Sequence, residues 1–163
     1  EISQLGDRLL QVHFSRRYTL PGDISITTLH STDEGVAFIV EADGCRIYHA
    51  GDLNWWHWEK ESKHYNDSMA GQYRHEIDLI SSLSMDLSFV PLDPRLGRFS
   101  HLGMEYFLKK VSSQMVFPMH FSWAPTSLQA LLASPEMARL REKITLPSHP
   151  GEKFLYFPKA GNA

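Results

Sequence analysis

His30, Asp52 and His120 each close an apolar, strand-like stretch of this sequence: Ile24-Ser-Ile-Thr-Thr-Leu29, Cys45-Arg-Ile-Tyr48 followed by His-Ala-Gly, and Gln114-Met-Val-Phe-Pro-Met119. Strand exits are where α/β sheets gather their ligands. Two imidazoles and one carboxylate make a donor set that suits zinc, and less selectively manganese or iron. A metal held in this way polarises a carbonyl or phosphoryl oxygen and turns bound water into a nucleophile at neutral pH. Taken singly, each residue also has a plain structural role: a histidine after a strand is often a satisfied polar group, and Gly51-Asp52 is a competent turn. No local pair such as His-Glu-X-X-His ties the three together, so their association depends on the fold.

Other residues near these exits are candidates for the walls of a site. Trp55, Trp56 and Trp58 follow Asp52 directly and either line a substrate pocket or pack as core under their loop. Asp93 and Arg95 follow the strand Leu87–Leu92 and fall on the same rim, with a turn locked by Pro94 as the alternative. His49, inside the strand Cys45–Ala50, is placed to orient the loop behind Asp52. His101 opens a helix with Glu105 four residues on, which favours a capping or surface role over that of a metal ligand. His57, His64 and His75 have no strand-end context and are expected at the surface. Cys45 begins a strand with only Arg46 as a cationic neighbour and is expected to be an inert thiol. No Gly-X-Ser-X-Gly elbow occurs, which leaves a Ser-His-Asp hydrolase without support.

The elements that must position these residues follow from periodicity and turn chemistry. Strands are expected at Leu9–Phe14 and Ile24–Leu29 around the Pro21-Gly-Asp23 turn, and at Val36–Glu41 and Cys45–Ala50 around Ala42-Asp-Gly44. Met69, Tyr73, Ile77 and Ile80 recur at helical spacing, which predicts an amphipathic helix from a cap at Asn66 or Asp67 to Leu83. The strand Leu87–Leu92, a helix over Leu102–Val111 and the strand Gln114–Met119 follow. Pro118 suits a strand terminus or edge. A short helix over Thr126–Ala133 and edge strands at Ile144–Leu146 and Phe154–Phe157 complete an α/β to α+β domain covering residues 1–163, without repeats or linkers.

Composition narrows the function classes. Among 163 residues, 42% are hydrophobic and 21% charged, which is the make-up of a globular domain that buries a core. The net charge of -3, with Lys109-Lys110 as the densest positive pair, implies neither nucleic acid nor an anionic membrane as partner. A small-molecule substrate is the expected partner, and the oligomeric state stays open. The single cysteine precludes an internal disulfide and agrees with a cytoplasmic setting. No apolar run reaches the ~18 residues of a membrane span.

Thr28-Leu-His-Ser-Thr-Asp-Glu-Gly-Val-Ala-Phe-Ile-Val40, Tyr48-His-Ala-Gly-Asp52 and Val116-Phe-Pro-Met-His120, in that order, resemble the second half of a metallo-β-lactamase-fold hydrolase. The likeness is nearest to the branch of ascorbate-6-phosphate lactonase-like proteins and extends over most of residues 20–122. It implies an αββα sandwich with a two-metal, zinc-type site, in which a metal-bridged hydroxide attacks a lactone, ester, amide or phosphoester. By the same resemblance His30 would serve the first metal, Asp52 would bridge both, and His120 would serve the second. The family's His-X-His-X-Asp-His cluster does not occur in this sequence. Residues 1–163 are therefore expected to be the C-terminal part of such a domain, incomplete at its N-terminus. The alternative is a metal-free binding module on the same scaffold, with the tryptophan-rich loop 54–58 as its contact surface.

Overall fold

Alternating β-branched and aromatic residues build most of the sheet, and two helical crossovers turn it from antiparallel to parallel. The computed structural model describes residues 9–121, 125–149 and 151–158, with only the backbone for 125–128. Its six strands are β1 (Arg17–Leu20), β2 (Ile24–His30), β3 (Val36–Ala42), β4 (Cys45–His49), β5 (Ser84–Pro91) and β6 (Ser112–Met119), and they lie in sequence order across one sheet. β1 to β4 form an antiparallel meander. Asp43 and Gly44 turn the β3–β4 hairpin with φ of 52° and 74°, the left-handed pair that a two-residue hairpin turn requires.

From β4 onward the strands run parallel, because helices carry the chain back between them: α1 (Lys63–Leu79) joins β4 to β5, and α2 (Leu102–Lys110) joins β5 to β6. α1 buries Ala70, Tyr73 and Ile77, and α2 buries Met104 and Phe107. These side chains meet Leu29, Ala37, Ile39, Tyr48, Val90 and Val116 in one core cluster on one face of the sheet. Two further helices, α3 (Pro125–Ala133) and α4 (Pro135–Ala138), follow β6, and α4 adds Met137 to that core.

The second face of the sheet is also apolar. The pairing Ile26–Val40–Ile47–Leu87–Met115 makes one cross-strand row, and Phe38, Phe89 and Phe117 fall in the next. All of these side chains are only half-buried. The C-terminal segment covers part of the face, with Phe154 edge-on to Phe117 at 5.0 Å and the Tyr156 hydroxyl donating to Asp86. The described residues thus hold one sheet and its helical layer, while the outer face keeps the apolar character expected of a surface packed in a sandwich.

Several boundaries differ from the sequence expectations, each for a local reason. α1 starts at Lys63, because Ser62 is the cap and its Oγ accepts from the Tyr65 N–H at 3.1 Å. Asn66, expected as a cap, instead holds Trp58 by accepting from its N–H and donating to its carbonyl, at 3.0 and 2.9 Å. Residues 9–14 are not a strand. The first strand is Arg17–Leu20, while Ser15 and Arg16 only bridge to Thr28. Ile144–Leu146 contributes one bond to the sheet edge, Thr145 N–H to the Val116 carbonyl at 2.7 Å, and Phe154–Phe157 runs across the outer face without forming a strand.

One close approach ties the helical layer to the loop that carries Asp52. A Cβ added at Gly103 in α2 would sit 2.1 Å from Asn54 Oδ1, far inside contact distance, and the Asn54 side chain is fully buried. Gly103→Ala is therefore expected to cost ~1–3 kcal/mol through overpacking, read as a shift in the urea midpoint at unchanged slope. A midpoint equal to that of the parent protein would show that this packing is absent in solution.

Candidate functional site

β2, β4, β5 and β6 all run in one direction, so their C-terminal ends, and with them His30, Asp52, Asp93 and His120, share one edge of the sheet. Neighbouring strands lie roughly 4.8 Å apart, which places Asp52 in the middle, about 10 Å of backbone from the exits of β2 and β6. The side chains close one of those gaps. His120 Nε2 and Asp52 Oδ1 stand 3.1 Å apart, with side-chain exposures of 26% and 36%. The pair is open to solvent at the sheet edge.

Backbone geometry brings the pair together. Gly51 has φ +54°, and a Cβ there would meet the Val36 carbonyl oxygen at 2.8 Å, so only glycine lets the β4 exit turn this tightly against β3. His120 itself adopts φ +61°, a left-handed conformation that costs a non-glycine residue of order 1–3 kcal/mol and is found mainly where function or a tight turn demands it. Trp56 holds both partners: its Nε1–H donates to the Asp52 carbonyl at 3.0 Å, and its ring lies 5.9 Å from the His120 ring. Thr32 ties the β2 exit to the same loop, its hydroxyl donating to the Asn54 carbonyl at 2.7 Å and accepting from the Asn54 N–H at 3.0 Å.

His49 contacts the turn that precedes Asp52. Its Nδ1 accepts from the Gly51 N–H at 3.1 Å, which requires that nitrogen to be unprotonated. Partial desolvation, with Phe89 5.8 Å away, and then the nearby His120 push its pKa below the ordinary imidazole value. Because the folded-state pKa is the lower one, the stability from this hydrogen bond is present above the unfolded pKa of ~6.5 and is lost as pH falls through the folded value. A His49 Cε1–H NMR titration should show a lower midpoint in the folded chain than in the urea-unfolded chain. Equal midpoints would remove the coupling.

His30 is not brought into the pair. Its backbone N–H donates to the buried Glu76 of α1 at 3.2 Å, and its ring stands edge-on to Phe14 at 4.6 Å beside a hollow lined by Gly71, Gln72 and His75. Among the described residues no three histidine, cysteine or acidic side chains cluster closely enough to hold a metal ion. The structure gathers Asp52 and His120, two donors, where a catalytic zinc usually keeps three protein ligands. The described residues alone do not fit a complete metal site.

The loop 54–58 is folded inward. Trp56 is 4% exposed, Trp55 packs between Tyr73 and Tyr106 with Arg74 over its ring, and Trp58 stacks on Trp56 at 6.1 Å. A contact surface made of these rings is therefore not favoured. Asp93 and Arg95 form a close ion pair, with the Asp93 carboxylate buried and the guanidinium 5.9 Å from the Trp58 ring centroid. His101 precedes α2 and faces Glu105 at 3.7 Å, but it makes no side-chain cap bond and its side chain is 15% exposed, so it is neither the cap nor the surface residue expected. Burial, Asp86 and Asp43 push the Cys45 thiol up, which keeps it protonated and inert. Thr32, Asn54, Glu76 and Gly103 are positioning residues that the sequence does not announce, because their partners lie 22 to 49 positions away.

Solved structures are similar to this chain in fold. Igni18, a metallo hydrolase from the hyperthermophilic archaeon Ignicoccus hospitalis, is 18% identical with a TM-score of 0.54, over 93% of this chain and 62% of that one. YhfI from Bacillus subtilis, a metallo-β-lactamase fold protein, is 11% identical with a TM-score of 0.52, over 90% of this chain and 58% of that one. The chain carries the metallo-β-lactamase fold. It spans about three fifths of the length of these two structures. The CmlA β-hydroxylase, as an E377D mutant, matches 84% of this chain at 8% identity with a TM-score of 0.52, so one scaffold carries more than one chemistry. No family model and no curated protein sequence matches the chain. No helix among the described residues is long and apolar enough to cross a membrane.

Proposed function

We propose that this chain supplies Asp52 and His120 to the metal centre of a metal-dependent hydrolase acting on a small molecule with a lactone, ester, amide or phosphoester bond. The observation that carries the proposal is the 3.1 Å approach of an open carboxylate and an open imidazole from two non-adjacent strands. Their carrier loops are braced by Trp56, Thr32 and His49, as a ligand pair needs to be. Zinc is the metal that this donor chemistry suits best, with manganese or iron as alternatives. Asp52, central at the sheet edge, would serve the metal centre together with His120, while His30 stands outside the pair. Of the expected pocket residues, Arg95 would reach the pocket, with Asp93 and Trp56 buried behind it and Trp55 packed away between Tyr73 and Tyr106. The lactonase-like branch supplies one substrate class within this proposal.

Further ligands would have to come from outside the described residues, and zinc titration tests this. The 163-residue chain is expected to bind zinc weakly and to turn over neither a lactone nor a phosphodiester. A polypeptide extended by the residues that precede Glu1 in its reading frame should bind stoichiometrically and hydrolyse one of them. Tight stoichiometric zinc on the short chain would overturn the shared site and point to His49 and His101 as ligands. An inactive, metal-free extended polypeptide would remove the hydrolase proposal.

A further inference from the structure

Arg95 differs from an ordinary surface arginine in what holds it. The Asp93 carboxylate is 1% exposed, yet the Arg95 side chain that neutralises it is 69% exposed. Arg95 Nε reaches both carboxylate oxygens at 3.0 and 2.9 Å, Nη2 reaches Oδ2 at 2.5 Å, and the Arg95 backbone N–H donates to Oδ1 at 2.9 Å. One edge of the guanidinium is thus fixed to a buried anion, its carbon lies 5.9 Å from the Trp58 ring centroid, and no hydrogen bond occupies Nη1 among the described residues. The rotamer freedom that a flexible arginine loses on binding a ligand has already been spent in folding.

The location adds to this. The Leu92 N–H donates to the Met119 carbonyl at 2.8 Å, so Asp93 and His120 are the next residues on two hydrogen-bonded, parallel chains. A chain of ring contacts then connects Arg95 to the pair: Trp58 5.9 Å from the guanidinium carbon, Trp56 stacked on Trp58, and His120 tilted against Trp56. We infer that Arg95 is an anion-recognition residue at the rim of the Asp52–His120 site, and that the substrate carries a carboxylate or phosphate group which its free edge binds. This deepens the hydrolase proposal and rests on it for the identity of the site. A planar guanidinium edge matches such oxyanions geometrically, which a lysine ammonium does not. Asp33, whose charge also reaches Arg95, is the local competitor for it. Arg98 provides the contrast, because it pairs with Glu59 at 3.1 Å with both side chains more than 70% exposed.

The test needs neither metal nor turnover, which separates its failure from that of the hydrolase proposal. The Nε–H resonance of Arg95 is followed by NMR in the EDTA-treated chain during titration with inorganic phosphate and, separately, acetate, at constant ionic strength. Saturable movement with a Kd of about 1–10 mM is expected for one or both anions, and the better binder identifies the group. Asp33→Asn should tighten binding a few-fold, and Arg98→Ala should leave it unchanged. Arg95→Lys keeps a cation beside Asp93 and so preserves the fold, but should weaken binding at least five-fold, read on the tryptophan fluorescence that the same titration perturbs. An Arg95 resonance that stays still to 50 mM of either anion, or equal binding by Arg95→Lys, would overturn the inference.

Discussion

Asp52→Ala and His120→Ala should each lower the zinc affinity of the upstream-extended polypeptide by at least ~100-fold, while His30→Ala should leave it unchanged. Loss of a mere outer-shell partner already costs metal sites 10–100-fold, and these substitutions remove a ligand itself. The asymmetry among the three residues is the informative part. Asp52 and His120 touch, whereas the His30 ring lies against Phe14 and its backbone is bonded to Glu76. Competition against a chelator of known affinity measures all three. A loss in His30→Ala matching the other two would mean that the β2 exit swings in to share the metal.

Phe107→Ala should destabilise the fold by ~3–5 kcal/mol, a large share of the ~5–15 kcal/mol available to a domain. Phe107 is fully buried and stacks on Tyr48 with ring centroids 5.1 Å apart and planes 14° from parallel. Tyr48 is itself fully buried, its hydroxyl without a hydrogen-bond partner among the described residues, so its place in the core depends on such packing. The cavity would open where α2 meets β4, the strand that delivers Asp52. Urea unfolding measures the change, and a loss below ~1 kcal/mol would show that α2 does not roof the sheet as described. The second apolar face offers no substitute for this core, since its side chains remain half-exposed.

Local chemistry was enough to place most elements of this protein. Alternation marks the strands, Asp43-Gly44 marks the hairpin, and helical spacing marks α1 even though the true cap is Ser62. It also sets His30, Asp52 and His120 at strand ends, because a break in apolar alternation is visible in any single stretch. Strand order is a different matter, since it depends on pairing between segments tens of residues apart. Only the tertiary structure decides that β4 and β6 flank β5, so that Asp52 and His120 meet at 3.1 Å while His30, on the far side of β3, does not join them. The bracing of the site is decided at the same level. Thr32 against Asn54, Gly103 against the same residue, and Glu76 under the His30 backbone are contacts of shape and hydrogen bonding between distant segments, and no residue type or spacing encodes them locally.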